Sequence, residues 1–345
     1  MTNHVRTLTA ICFALSSGLS LAQTNFSDIV GYTTLNVRGK ATSSSPNASS
    51  FIALNVHRPA AFKGQVGTKS LSGQQSVITL SSSAFTNNQL TGQKHYLRVT
   101  SGANTGLVSE ITANSTDTIT VADNLDAVLV NNTTQFEVRP FWTLDTAFPS
   151  GAGLQGNTSA TSADNLTVFD PTTGVANTYF YNSSLSKWRK GFADSGSDII
   201  PPGSGIMITR KVINPVTIRI TGEVITSAVL ADIPGASSQK QALVANPYPA
   251  ASLTLANSGL YTGNSATGVV GGTSGSSADT VTIFNPTNGV ATSYYYNTSG
   301  NQWRTGLTDA SNVVIPEGAA VLITRRANRS AFEWYIPSPI ANLNP

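Results

Sequence analysis

The sequence predicts an all-β protein, with an N-terminal small β-barrel or sandwich domain followed by two related antiparallel β units. Residues 164–211 align without a gap on residues 279–326, at a constant offset of 115, with 22 identities in 48 positions. Short segments of alternating polar and apolar residues are separated by turn-forming residues along most of the chain, which is typical of sandwiches and barrels. Ser, Thr, Asn and Gly make up 141 of the 345 residues, so the surface is polar but largely uncharged.

Residues 1–22 are predicted to be a Sec-type signal peptide. Arg6 precedes an apolar run over residues 8–21, and Ala22 ends a small-x-small cleavage site. The run is shorter than the ~20 apolar residues of a membrane span. Cys12 lies inside the run instead of at its end, which argues against a lipoprotein. We therefore expect an exported chain in the periplasm, on the cell surface or outside the cell.

The chain after Ala22 contains no cysteine. Disulfides, a thiol nucleophile and thiolate metal sites are thereby excluded, and burial and backbone pairing must hold the fold together. Residues 331–345 show no sortase-like or membrane-anchoring pattern. We therefore expect release, or non-covalent attachment to a surface, and no integral membrane segment.

The domain expected over residues 23–140 consists of short strands joined by turns. The strands are predicted at residues 96–99, 107–111, 118–121 and 136–139. In the first of these, Tyr96 and Arg98 share one face and Leu97 and Val99 the other, which predicts a half-buried strand.

The two β units are expected over residues 141–224 and 225–345. A strand is predicted at residues 141–148, and no convincing helix is found; residues 250–260 form at most one helical turn, because Ser and Thr weaken it. Two polar loops, at residues 150–163 and 262–278, occupy corresponding places. In the first copy the strands are predicted at residues 166–169, 175–182, 187–189, 206–209 and 216–220.

Four stretches resemble an uncharacterised family of secreted bacterial proteins that is expanded in Verrucomicrobia and related bacteria. They are residues 96–125 (YLRVTSGANTGLVSEITANSTDTITVADNL), residues 139–144 (RPFWTL), residues 28–32 (DIVGY) and residues 57–62 (HRPAAF). The tyrosine-rich strand followed by Trp-Arg, at residues 179–189, adds to the resemblance, which covers most of the chain after residue 22. The family has no assigned activity, so the resemblance implies an exported β-rich fold and no specific chemistry.

Charge gives no case for nucleic acid. The formal net charge is +3 at pH 7, and the basic residues lack the clustering that phosphate binding requires. Arg210-Lys211 and Arg325-Arg326, with Arg329, form small basic groups at strand ends. We expect these to be solvated ends, with anion binding as the alternative.

Neither histidine nor carboxylate patterns point to a catalytic site. His57 is expected in a loop and His95 on the surface, and a Ser-His-Asp triad depends on geometry that sequence does not show. Asp164/Asp279 and Asp194/Asp309 recur at the repeat offset. We expect them to accept backbone N–H groups at turns. The acidic density is too low for Ca²⁺, and no pair marks a glycosidase, so no cofactor or metal is predicted.

The aromatic set of the repeat is the candidate ligand-contact site. If these side chains share an exposed sheet face, sugar rings can stack on them, with asparagines alongside. The alternative is that the tryptophans fill the sheet cores, since large aromatics dominate such cores. The candidate residues are Tyr179, Tyr181, Asn182 and Trp188 in the first copy and Tyr294, Tyr296, Asn297 and Trp303 in the second.

These features predict a non-catalytic structural or adhesive protein that makes contact through neutral polar loops and sheet edges, with duplication adding valency. A carbohydrate-binding protein is the first alternative and an unrecognised hydrolase the second. The expected partners are polysaccharides, other surface proteins or further copies of the chain.

Overall fold

The computed structural model describes residues 29–248 and 253–338. The expected signal peptide with Cys12, and the chain end from residue 339, lie outside the described residues. So do the first residues of the segment 250–260, whose described part contains no helix.

Twenty-six strands, one short α-helix and one 3₁₀ segment (Pro149–Gly153) make up the regular structure of the described residues. The first group is β1 (Val30–Val37), β2 (Ala48–Ala53), β3 (Val56–His57), β4 (Phe62–Gln65), β5 (Thr68–Ser72), β6 (Gln75–Thr79), β7 (His95–Val99), β8 (Val108–Asn114), β9 (Thr118–Val121) and β10 (Gln135–Pro140). Next come β11 (Trp142–Thr143), α1 (Leu144–Ala147), β12 (Asn165–Phe169), β13 (Ala176–Asn182), β14 (Lys187–Lys190), β15 (Ala193–Asp194), β16 (Ile199–Ile200), β17 (Gly205–Arg210) and β18 (Val216–Val224). The last group is β19 (Val229–Ile233), β20 (Lys240–Ala245), β21 (Thr280–Phe284), β22 (Ala291–Asn297), β23 (Gln302–Thr305), β24 (Thr308–Asp309), β25 (Ala320–Arg325) and β26 (Phe332–Ile336). The all-β prediction is thereby confirmed.

Strands β4 to β10 form the barrel domain (residues 58–140). Its sheet has the order β4-β10-β7-β8-β9-β6-β5. Only Val66 and Gly67 separate β4 from β5, so one bent segment pairs with β10 on one side and with β6 on the other. The sheet curls round its own core, in which Ile78, Leu97 and Ile119 are fully buried.

The first repeat unit (residues 29–57 and 141–224) includes strands that precede the barrel domain. β2 pairs with β17, and β1 and β3 flank β18. The sequence placed residues 23–140 together, but pairing assigns β1 to β3 to the repeat. The barrel domain is an insertion into this unit, because the chain leaves after β3 and returns at β11.

The second repeat unit (residues 225–338) repeats this arrangement without an insertion. β20 pairs with β25 as β2 pairs with β17, and β19 pairs with β26 as β1 pairs with β18. Both units therefore contain two N-terminal strands that sequence comparison of the 48-residue repeat does not include.

The two repeat units meet about a local twofold pseudosymmetry. The Ala53 N–H donates to Gly318 O at 2.9 Å, and the Ala245 N–H donates to Gly203 O at 2.8 Å. Gly203 and Gly318 are 115 residues apart, and Ala53 and Ala245 hold the same register against β17 and β25. Each contact is therefore made twice with the roles exchanged, as in a symmetric dimer.

Residues 141–148 differ from the predicted strand. Only β11 is extended, and α1 follows at once with Thr143 as its N-cap. The Thr143 and Thr146 side chains each bond the other's backbone N–H, a reciprocal capping box. These local side-chain bonds stabilise a helical turn, and the alternation of apolar residues gives no sign of it.

Candidate functional site

The tryptophans of the aromatic set lie in the cores of the two repeat units. Trp188 is 1% and Trp303 2% exposed. The Trp188 indole N–H donates to Phe148 O at 3.0 Å. Tyr181 and Tyr296 are half-buried and pack edge-on against these indoles, with ring centroids 5.7 and 5.8 Å apart. The set does not form an exposed stacking platform, and the core interpretation of the tryptophans is confirmed.

The two asparagines of the set tie loops to the sheet. Asn182 Nδ2 donates to Thr158 O, and its Oδ1 accepts from the Leu185 N–H. Asn297 does the same with Thr273 O and the Gly300 N–H. Both amides are buried and bond backbone groups of the adjoining loops, a structural role that the two copies share.

Asp164 and Asp279 each anchor a buried ion pair at the same place in the repeat. Asp164 Oδ2 accepts from Arg210 Nη1 at 2.8 Å, and Asp279 Oδ2 accepts from Arg325 Nε at 3.0 Å. Both carboxylates also accept two backbone N–H bonds, as the sequence predicted. The expectation that Arg210 and Arg325 are solvated was wrong: they are 4% and 0% exposed, because each pairs with an aspartate 46 residues away.

Asp194 and Asp309 are exposed at hairpin ends. Asp194 pairs with Lys187 and Arg189 at 2.6 and 3.2 Å. Asp309 Oδ1 accepts the Ser311 N–H at 2.9 Å. These contacts hold the hairpins and assemble no pair of facing carboxylates.

His57 and His95, the two histidines among the described residues, are both buried, contrary to their expected loop and surface positions. His95 Nδ1 lies 2.9 Å from Leu90 O. His57 is in β3, and its Nδ1 shares a 3.0 Å hydrogen bond with the Tyr96 hydroxyl. Burial, and then the charges of Arg98 and Arg139, hold the pKa of His57 well below 6.5. Neither imidazole is bonded to a serine or a carboxylate, so no triad is assembled around them.

A buried charge network joins the barrel domain to the repeat units. Glu137 Oε1 lies 3.0 Å from Arg98 Nη1 and 2.7 Å from Arg139 Nε, and Arg139 Nη1 lies 2.5 Å from Glu223 Oε2 on β18. Burial alone would raise the pKa of Glu137, but the hydrogen bonds and charges of the two arginines lower it to about 2. Arg98 also donates to Ala228 O at 2.9 Å, in the second unit. The predicted half-buried strand β7 is therefore buried on both faces.

A cleft of about 680 Å³ opens where the barrel domain meets both repeat units. Tyr179 is the one member of the aromatic set that lines it. Burial and the neighbouring Asp198 raise the pKa of Tyr179 to about 12, so its hydroxyl stays protonated. The cleft walls carry two lysines and six carboxylates: Lys94, Lys190, Glu110, Asp123, Asp170, Asp198, Asp232 and Glu333.

The carboxylates give this cleft a negative character. Asp232 and Glu333 lie directly opposite each other on β19 and β26. Partial desolvation raises the pKa of both; the charge of Asp123 adds to this for Asp232, and the charges of Asp232 and then Asp123 add to it for Glu333. Because both side chains still reach solvent, water screens their repulsion. The cleft therefore suits a neutral, hydroxyl-rich or cationic ligand and disfavours an anionic one.

Two exposed apolar tips recur at the repeat offset, a feature that the sequence reasoning missed. Phe192 is 98% and Leu307 91% exposed, each at the end of a two-residue hairpin loop. Gly191 and Gly306 precede them with φ near +60°, a conformation that favours glycine. The sequence contains a signal for these tips, since Gly-Phe and Gly-Leu occupy matching positions of the alignment, but neither dipeptide shows by itself that its apolar side chain lies in solvent.

No protein-family model matches the chain, and neither the curated proteins nor the solved structures gave a significant match. Within residues 29–248 and 253–338, no group of three or more His, Cys, Asp or Glu side chains is arranged to hold a metal ion. In the same residues, no helix is both long enough and apolar enough to cross a membrane.

Proposed function

We propose that the chain is an exported, non-catalytic structural or adhesive protein that makes contact through its duplicated hairpin tips. The observation that carries this proposal is the recurrence of a fully exposed apolar residue, Phe192 and Leu307, at the same place in both repeat units. The two-residue loop needs its glycine for conformation, but nothing in the fold needs an apolar residue next to it.

The tips are held in place for contact. The hairpin of Phe192 is braced by the ion pairs of Asp194, and Lys190 Nζ donates to Asn177 Oδ1 at 2.6 Å. In the second unit, the Tyr295 hydroxyl donates to Gly306 O at 3.3 Å. A braced tip loses little conformational freedom on binding. Burying each apolar side chain contributes about 1.5–3 kcal/mol, and two tips on one chain add avidity.

The test is adhesion of the chain from Gln23 to an alkyl-terminated surface and to a polysaccharide-coated surface, measured by surface plasmon resonance. We expect Phe192→Ser and Leu307→Ser each to weaken retention on the alkyl surface. The double variant should lose far more retention than either single variant, because the chain can then no longer bind through two tips at once. All three variants should unfold at the same temperature as the wild type, since both side chains lie in solvent.

Leu185→Ser provides the matched control, because Leu185 is 51% exposed in the same unit but has Gly300 as its counterpart. It should leave retention unchanged. Equal retention of the double variant and the wild type would refute adhesion through the tips.

Carbohydrate binding is a second candidate, and the cleft favours it. The Tyr179 side chain is almost fully buried, but its protonated hydroxyl lies beside Asp198 at the cleft wall, and the carboxylates of the cleft are good acceptors for sugar hydroxyls. Here the ligand contacts would come from Tyr179 and Asp198 and not from the buried tryptophans.

This candidate is tested by isothermal titration with a panel of neutral and cationic polysaccharides. Asp198→Asn and Tyr179→Phe should weaken any binding. Tyr294→Phe is the matched control, because it alters the equivalent tyrosine of the second unit, outside the cleft. Binding that is equally strong in all three variants would place the glycan elsewhere.

A further inference from the structure

The longest uncovered sheet edge of the described residues belongs to β1. In the sheet β1-β18-β3, β1 pairs on one side only. The Val224 N–H donates to Ile29 O, and the register continues unbroken from Val30↔Glu223 to Val37↔Val216. In an antiparallel pair, successive residues point their backbone groups alternately toward and away from the partner strand. The N–H and C=O groups of residues 30, 32, 34 and 36 therefore point away from β18. No hydrogen bond in the described part of the chain reaches these groups.

Strand β1 lacks the devices that keep sheet edges from pairing. Natural edges are blunted by charged residues, proline, bulges or brevity. The sequence VGYTTLNV contains no charge and no proline, and it spans eight residues without a bulge. Its outward side chains are neutral, and Val30 and Tyr32 are each 67% exposed.

The other edges of the described sheets are protected. Strands β3, β11, β15, β16 and β24 have two residues each, and strands β4, β5, β19, β20 and β26 each contain a charged residue. The uncharged strand β2 is covered by the opposite repeat unit through the Ala53–Gly318 hydrogen bond and the stack of Phe51 on Phe284. β1 stands apart from all of these.

The equivalent strand of the second unit, β19, has its outer face covered in part, at Leu230, while Asp232 stays exposed. Leu230 of β19 packs against the core of the barrel domain, and Arg98 bonds Ala228 just before it. On β1, the outer face carries Tyr32, Thr34 and Asn36, all exposed. The insertion thus covers this position in one unit and leaves it open in the other.

We propose that β1 pairs with β1 of a second copy, antiparallel about a twofold axis, and joins two chains into a continuous sheet. A register centred on Thr33 places Tyr32 opposite Thr34 of the second copy and Val30 opposite Asn36. It would add about eight backbone hydrogen bonds. Every outward side chain of the strand is neutral, so self-pairing brings no like charges together. The surface is distinct from the hairpin tips and stands whether or not they adhere.

The test is the solution mass of the chain from Gln23, by sedimentation velocity across a dilution series. The wild type should be a dimer that dissociates on dilution. Thr34→Pro should be a folded monomer, because the Thr34 N–H points away from β18 and its loss leaves the β1–β18 ladder intact. Thr34→Ala is the matched control, since it keeps the N–H group, and it should remain a dimer.

Thr34→Lys gives a second variant if the proline prevents folding, and it should also be monomeric. Amide exchange supplies an independent readout: the amides of Tyr32 and Thr34 should become protected only as concentration rises. A wild type that is monomeric throughout, or a folded Thr34→Pro dimer, would overturn the proposal. Protection of these amides at every concentration would also overturn it, because a segment of the same chain, such as residues 339–345, would then cover the edge.

Discussion

Gly205 and Ala320 are equivalent residues that face each other across the pseudosymmetric contact between the repeat units. A Cβ on Gly205 would lie 2.4 Å from the Ala320 Cβ and 2.8 Å from Leu243 Cγ. The two backbones approach so closely that only one of the two equivalent positions can carry a methyl group. The difference between the copies at this position is therefore a requirement of packing.

We expect Gly205→Ala to lower the free energy of unfolding by about 1–3 kcal/mol, the usual range for overpacking. Adding Ala320→Gly should recover part of this loss, because it removes one of the two clashing groups. Gly92→Ala is the control, since its added methyl would meet nothing within 4 Å. Urea denaturation measures the free energy of unfolding of all three variants. A double variant that recovers none of the stability lost in Gly205→Ala would contradict the contact.

His57 makes stability depend on pH below its ordinary pKa. The folded pKa of His57 lies well below 6.5, because burial and then Arg98 and Arg139 oppose its protonation. Below pH 6.5 the unfolded chain takes up a proton that the folded chain resists, so stability present above that pH declines by about 1.4 kcal/mol per pH unit. We expect His57→Gln to remove this slope between pH 6.5 and 5, measured by denaturant titration. An unchanged slope would refute the assignment.

At the scale of elements, the sequence predicted strands well where pattern and pairing are both local. Strands β12 to β14 and their counterparts follow from alternation and turn residues, because consecutive hairpin strands pair with each other. β1 and β2 were grouped with the barrel domain, since alternation identifies a strand but not its partner. The predicted solvation of Arg210 and Arg325 is wrong for a related reason: a charged strand end is buried only when a distant aspartate pairs with it, and the local sequence does not show that aspartate.

The buried Asp–Arg pair that recurs in both repeat units should be essential to the stability of the unit that contains it. Asp279→Asn leaves Arg325 buried without a countercharge, and we expect a loss of about 3–5 kcal/mol in the free energy of unfolding. Asp309→Asn removes an exposed carboxylate from the same unit and should change stability little. Thermal and urea unfolding measure the stability of the two variants. Similar stability for Asp279→Asn and Asp309→Asn would contradict the role of the buried pair.

At the scale of the whole molecule, the network of Glu137, Arg139 and Glu223 links the barrel domain to the first repeat unit. Arg139→Leu removes the ion pair of Glu223 and leaves the buried Glu137 with Arg98 alone. We expect a loss of about 3–5 kcal/mol in the free energy of unfolding. Lys94→Leu breaks only the exposed pair with Glu110, and its cost should stay below about 1 kcal/mol. Calorimetry of both variants tests this, and an Arg139→Leu protein as stable as Lys94→Leu would refute the role of the network.

The candidate site was harder to predict than the fold. Tyr179 is the one predicted ligand-contact residue that lines the cleft, and ligand contact there stays a prediction. Asp198 and Glu333 reach the same cleft only through tertiary packing. The tryptophans are aromatic residues of the same repeated hairpins. The local sequence pattern does not show which of these side chains face the core and which face a cleft.

The insertion of the barrel domain sets the order in which the molecule can be completed. Strands β1 and β2 are made first, but their partners β18 and β17 follow only after the entire barrel domain has been synthesised. The barrel domain has all of its strands within residues 58–140, so it can close while β1 and β2 still wait. During that interval two uncharged strands have no partner, and unpaired strand edges are prone to aggregate.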